Sequence, residues 1–294
     1  MAEFIASTLR SGTPLALAGV GALFAVRAGI FHLGIEGLML ASAFTAVAVA
    51  HETSSIPLAL AAALVASALL SVLYWALMEH LRADAVIAGL GLTTLCVGGT
   101  AFLLDAIFDQ RGRLDSPVGL PRPVRGADDG LGAFVTEWSI LGWLTPVLVV
   151  AAWIVLRRSG LGLRITAVGT YAYGARAAGV SGARTRLAAM LLASIGASLA
   201  GVELALGGLS GFSENMTAGR GFIALAAVLL GLSRPFGTAV SAFFFGAAAA
   251  IGVYTQINSF DALPRPFILM IPFVVTIVAV SVRAAAESRS SAAR

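Results

Sequence analysis

The chain of 294 residues contains no lysine: all 19 of its basic side chains are arginine. A phosphate-binding P-loop needs a lysine beside the β- and γ-phosphates of its nucleotide. No Walker A site can therefore be built here, and any work driven by ATP needs an ATPase on another polypeptide. Cysteine is nearly absent as well. The single Cys96 sits inside an apolar run, which argues against disulfides. The three histidines, His32, His51 and His80, lie without metal-ligand spacing, so no metal site is expected. Charge is scarce too, at 12% of residues, against roughly 25% in soluble domains.

What fills the chain is apolar. Hydrophobic residues make up 59% and the mean hydropathy is +0.93, which sets the class as an integral membrane protein. The net charge of +4 and the sequence pI near 10.0 come entirely from arginine. In a membrane chain such an excess sets orientation, and no nucleic-acid partner is expected. A cleaved signal peptide is not expected either, because the apolar run at 13–26 lacks a basic region before it and many further runs follow.

Crossing about 30 Å of hydrocarbon takes roughly 20 apolar residues. Clear runs occupy 57–79, 85–108, 138–156, 187–208, 235–255 and 266–283, and shorter or interrupted ones 12–27, 34–50 and 219–232. The count is about nine segments, packed as one bundle over 1–294 and rich in alanine and glycine so that helices approach closely. The stretch 157–186 holds Arg157, Arg158, Arg164, Arg176, Arg184 and Arg186 and no acid, which places it in the cytoplasm. The loop 109–137 mixes both signs of charge and belongs outside, one span earlier. Counting on puts the C-terminal tail, with Arg283, Arg289 and Arg294, inside, and counting back puts the N-terminus outside.

Two stretches carry the chemistry. RAGIFHLGIEGLML (27–40) crowds Gly29, Gly34 and Gly37 around His32 and Glu36, so the helix is expected to break there. Irregular backbone at membrane depth survives only when packed in protein or lining a water-filled cavity. Glu36 then falls in the first turn of the following helix, where its charge complements the dipole. It serves there either as a cap and packing group or as a solute contact. FSENMTAGRGFIALAAVLLG (212–231) repeats this grammar, with Glu214, Asn215 and Arg220 among Gly219 and Gly221 ahead of a short apolar helix. Paired Gly-interrupted segments in the two halves are the pattern of transporters built from internal repeats.

Other features are less directive. A bare carboxylate at the bilayer centre costs about 2.5–3.5 kcal/mol, so Glu203 is expected to face the bundle interior, be protonated or sit near the outer interface, the last favoured because it lies well past the middle of its span. GLSG at 208–211 invites an intramembrane serine protease reading with Ser210 as nucleophile. That chemistry needs a histidine base, and none follows His80. The segment 162–186 is either an ordinary basic loop that fixes topology or a docking helix for a soluble partner, with helical content around 172–180.

Three blocks carry a family resemblance. GIFHLGIEGLMLASAFTAV resembles the Gly-x-x-Asn-Ile-Gly-x-Glu-Gly-Met-Met-Leu signature of ABC-importer permeases in the ribose and branched-chain amino acid superfamily. SENMTAGRGFIALAAVLLG resembles a signature of the nucleoside-importer branch, whose binding proteins are of the basic-membrane-lipoprotein type. GLGLRITAVGTYAYGARAAGV is similar to the family's coupling segment. His32 stands where the family has Asn and Phe31 where it has Val, while Thr170, Tyr171, Ala172 and Tyr173 replace Glu-Asn-Pro-Arg. A histidine at that position makes pH sensitivity of the pathway an open question.

The resemblance implies an all-α integral membrane protein with the type II ABC importer permease fold of about 8–9 transmembrane segments and broken helices, in the plasma (inner) membrane. It implies a subunit that is not an enzyme and forms half of a pathway for a small polar solute, a nucleoside or a ribose-type sugar. Its implied partners are a second homologous permease, a cytoplasmic ABC ATPase that binds ATP and Mg, and an extracytoplasmic substrate-binding lipoprotein. On that implication Arg164, Gly169, Arg176 and Gly179 meet the ATPase. His32, Gly34, Glu36, Gly37, Phe212, Glu214, Asn215 and Gly219 shape the pathway, with Phe212 able to stack on a base. A self-contained secondary transporter is the rival class, and its coupling would require an intramembrane acid such as Glu203 or Glu36.

Overall fold

The computed structural model describes residues 2–123 and 138–257, with isolated positions at 274 and 281. Four long helices open the chain: α1 (Ala2–Arg27), α2 (Ile35–Thr53), α3 (Ile56–Glu79) and α4 (Ala85–Phe108). A short strand β1 (Arg113–Asp115) precedes α5 (Ile140–Arg158), and two small helices follow, α6 (Gly160–Thr170) and α7 (Ala172–Ala177). Then come α8 (Gly182–Val202), a π-helical turn (Glu203–Leu209), β2 (Gly211–Ser213), α9 (Arg220–Leu230) and α10 (Pro235–Ile257).

Polar residues at the helix starts set several boundaries. Asp84 accepts from the amides of Val86 and Ile87 at 2.9 and 3.2 Å and so begins α4. Ser139 accepts from Gly142 at 3.0 Å to begin α5. Ser159 both ends α5 and caps α6, accepting from Gly162 at 3.0 Å, so the chain turns sharply there without a connecting loop.

Helices α1 and α2 form the centre, mostly buried, while α3, α4 and α5 turn large apolar side chains such as Leu69, Ile87, Phe102 and Val147 outward. Close approach at the centre depends on small residues. A β-carbon on Gly21 of α1 would lie 2.8 Å from the Ala193 carbonyl oxygen and from the α-carbon of Gly196 on α8. Polar contacts add to this packing, as Ser67 and Ser71 of α3 donate to the carbonyls of Ser194 and Met190 on α8 at 3.0 and 2.9 Å.

Seven helices among the described residues are long and apolar enough to cross a membrane. The runs at 57–79, 85–108, 138–156, 187–208 and 235–255 correspond to α3, α4, α5, α8 with its π turn, and α10. The run at 34–50 is α2, a full span. The helix at 12–27 is longer than its hydropathy indicates, because it continues back past Arg10 to Ala2. The run at 219–232 is shorter than a span: α9 has 11 residues, about 16 Å of rise, half of what a crossing needs. The expected span 266–283, the arginine tail and the part of the 109–137 loop from 124 onward lie outside the described residues.

One local feature departs from an all-helical reading. β1 and β2 pair antiparallel, with Leu114 opposite Phe212, both fully buried. This ladder lies at one end of the bundle, where His51 of α2 meets the Asp115 carbonyl at 2.9 Å. The opposite end carries α6, α7 and most of the loop arginines.

Candidate functional site

The glycine-rich stretch after α1 does break the helix. Gly29 takes a φ of +81° just past the last helical residue, and the Ile30 amide bonds back to the Ala25 carbonyl at 2.9 Å. Residues 28–34 then lead into α2, whose first turn contains Glu36. The second stretch breaks in a matching way. After β2, tight turns with Asn215 and Ala218 at positive φ end in Gly219, at φ +84°, which begins α9 with no side-chain cap of its own.

These two breaks meet. The Glu36 carboxylate is buried and receives both free amides at the head of α9, Oε1 from Gly219 at 2.8 Å and Oε2 from Gly221 at 2.5 Å. A negative charge on the unpaired N–H groups of a helix start is favourable through both the hydrogen bonds and the dipole. The expected position of Glu36 in the first turn of α2 holds, but the helix whose amides it caps is α9. Gly221 makes the approach possible, since a β-carbon there would lie 2.7 Å from the Glu36 α-carbon. Arg220 donates from Nη1 to the Met216 carbonyl at 2.7 Å and so secures the turn that precedes α9.

The other expected pathway residues have distinct placements. Gly34 packs against Tyr74 and Leu92, giving closeness to α3 and α4, and Gly37 against the Thr93 backbone, giving closeness to α4. His32 is fully buried with its ring 4.9 Å from that of Tyr74, whose hydroxyl donates to the Ala85 carbonyl at 2.6 Å. Neither ring nitrogen of His32 has a hydrogen-bond partner among the described residues. Glu214 and Asn215 are exposed at the ladder end, and Glu214 accepts from the Gly112 amide at 2.8 Å. Phe212 is not open for base stacking in this conformation: it is fully buried and meets Phe44 edge-on at 5.3 Å. Its strand pairs with β1, and that pairing turns the ring into the core.

Glu203 faces the bundle interior, one of the placements its sequence position left open. It is buried at the first residue of the π turn and accepts a hydrogen bond from Ser139 at 2.5 Å. Ser139, which sequence reasoning missed, thereby links the start of α5 to the end of α8. The signal available for it was a serine, a helix-capping residue type, at the start of the apolar run 138–156.

At the far end, Arg164, Gly169, Arg176 and Gly179 are all exposed on α6, α7 and the turn after them. Leu163, Tyr171 and Tyr173 are exposed beside them. Gly169 has a second contact. A β-carbon on it would collide with the Arg27 carbonyl and lie 2.9 Å from the Gly29 amide nitrogen. The arginine-bearing element therefore rests directly on the break that leads to Glu36.

Comparison with known proteins identifies relatives along nearly the whole chain. The family model described as branched-chain amino acid transport system, permease component, matches residues 4–280. The guanosine ABC transporter permease NupQ of Bacillus subtilis is 30% identical over 288 residues, covering 94% of this chain and 90% of the relative. The nucleoside ABC transporter permease NupC of Lactococcus lactis subsp. cremoris is 30% identical over 289 residues, covering 93% and 90%. A putative glucose ABC transporter permease of Haloferax volcanii is 30% identical over 268 residues, covering 87% and 78%. No solved structure matches the chain. With seven apolar helices among the described residues and a family match along nearly its whole length, the chain is a multi-pass membrane permease belonging to the branched-chain amino acid transport system permease family.

Proposed function

We propose that this chain is one permease subunit of an ABC importer for nucleosides. The observation that carries the reading is the alignment with the guanosine and nucleoside permeases, which runs along at least 90% of each relative. The complex pairs this chain with a second, homologous permease, a cytoplasmic ABC ATPase and an extracytoplasmic substrate-binding lipoprotein. ATP and Mg belong to the ATPase, in keeping with the absence of lysine from this chain. The arginine-rich end bearing α6 and α7 faces the cytoplasm, the β1–β2 end faces outward, and the C-terminus is cytoplasmic. The protein resides in the plasma (inner) membrane.

The contact of Gly169 with Arg27 and Gly29 supports a route for coupling. Movement of α6 under the ATPase displaces the break at 28–34, and Glu36 transmits it to α9 through two amide bonds. His32, Gly34, Gly37, Glu214, Asn215 and Gly219 frame that moving region, while Arg164, Arg176 and Gly179 meet the ATPase.

A sugar is the second reading for the solute, favoured by the likeness to the haloarchaeal glucose permease. Reconstitution of the chain with its cognate permease, ATPase and lipoprotein tests both. ATP-dependent uptake of labelled guanosine or uridine in preference to ribose or glucose is the expected result. Preference for the sugars replaces the solute assignment. Uptake by this chain alone, driven by an ion gradient, overturns the importer reading in favour of a secondary transporter.

A further inference from the structure

We propose that the arginine-rich end of the bundle holds an anionic phospholipid, its phosphate headgroup seated among Arg27, Arg157 and Arg234. A cavity of about 790 Å³ opens where α1 and α5 end, where α6 lies across the bundle, and where α9 turns into α10. These three arginines line it, and no described aspartate or glutamate does. Arg27 is fixed in place, half-buried, with Nε donating to the Ser233 carbonyl at 2.9 Å. That leaves its two terminal nitrogens available to an anion. Arg157 and Arg234 are exposed. A cluster of guanidinium groups beside a membrane end attracts anionic headgroups, and guanidinium matches phosphate in two-pronged geometry.

The walls identify the source of the phosphate as a lipid. Trp153 and Phe236 line the cavity with their ring centroids 6.4 Å apart. From Phe236 an exposed apolar stripe continues along α10 through Val240 and Phe244, spaced four residues apart on one helix face. Such a stripe offers acyl chains a track from the headgroup into the hydrocarbon, which a free phosphate ion does not need. Arg158, 5.9 Å from the centre of the Trp153 ring, adds a cation at the same level. This inference rests on the membrane location of the chain and is independent of which solute it carries.

Native mass spectrometry of the full chain tests it, after purification in mild detergent with equal amounts of phosphatidylglycerol and phosphatidylcholine. The wild type is expected to retain phosphatidylglycerol over phosphatidylcholine by at least tenfold. R157Q/R234Q is expected to lose most of that preference, because juxtamembrane cations attract anionic headgroups, whereas R157K/R234K keeps the larger part. Inorganic phosphate at millimolar concentration is expected not to displace the lipid. Equal retention of the two lipids by the wild type, which requires no variant to fold, overturns the proposal. So does undiminished preference in R157Q/R234Q, and displacement by inorganic phosphate assigns the cavity to a soluble phosphate ligand instead.

Discussion

Glu36 reaches across 185 positions of sequence to the amide of Gly221, and its second oxygen takes the amide of Gly219. One carboxylate thus joins the two broken stretches of the permease. Removing it leaves two amides at a packed helix start without partners, and hydrogen bonds to charged groups contribute about 1.5–3 kcal/mol each. Glu36→Ala is expected to lower stability by about 3 kcal/mol or more, read as an earlier thermal transition in detergent. Glu36→Asp, one methylene shorter, should recover little of this. Wild-type melting of both variants would show that the clamp is dispensable.

Gly221 is required by space, because the Glu36 backbone occupies the position of its missing β-carbon. Gly221→Ala should separate α9 from α2, costing about 1–3 kcal/mol and reducing uptake. Gly98 on α4 has nothing within 4 Å of the same position, so Gly98→Ala should leave melting unchanged or raise it by up to about 1 kcal/mol. Equal effects from the two substitutions would remove the steric argument.

Gly169 presses on the Arg27 carbonyl beside the first break. Gly169→Ala is expected to reduce ATP-driven uptake several-fold, and Gly160→Ala, which has open space around it, is expected to reduce it little. If the two variants transport alike, coupling does not pass through that contact.

Ser139 serves both the α5 start and the Glu203 carboxylate. Glu203→Gln keeps an acceptor for the serine hydroxyl and should retain folding and ATP-driven uptake. Ser139→Ala removes the helix cap and leaves Glu203 short of a donor, for a cost of about 1–3 kcal/mol. Abolished uptake in Glu203→Gln with normal folding would point to proton-coupled transport.

Arg176 is exposed in the last turn of α7. Reversing its charge with Arg176→Glu should lower the amount of ATPase that co-purifies with the permease, while the melting of the isolated chain stays near wild type. Unchanged assembly and transport would exclude Arg176 from the contact.

Several of the elements that carry these relationships are legible in the sequence. Hydropathy located α3, α4, α5, α8 and α10 to within a few residues, because the lipid requirement acts on local composition. The clustering of Gly29, Gly34 and Gly37 marked a break because glycine is a poor helix former, and at Gly29 the chain uses left-handed backbone. The arginine count of 157–186 marked the element that stands exposed as α6 and α7. Hydropathy misjudged α1, since Arg10 bounds the apolar run without ending the helix, which runs from Ala2 to Arg27.

The sequence alone therefore determined the class of the protein, the positions of most spans and the existence of two broken stretches, all properties of short windows of residues. The tertiary structure decided which groups meet. It buried Phe212 against Phe44, set Glu203 on Ser139, and brought Glu36 to the amides of a helix in the other half of the chain. Such pairings depend on how helices pack over hundreds of residues. A carboxylate in the apolar run of one segment carries no mark of the distant backbone amides that neutralise it.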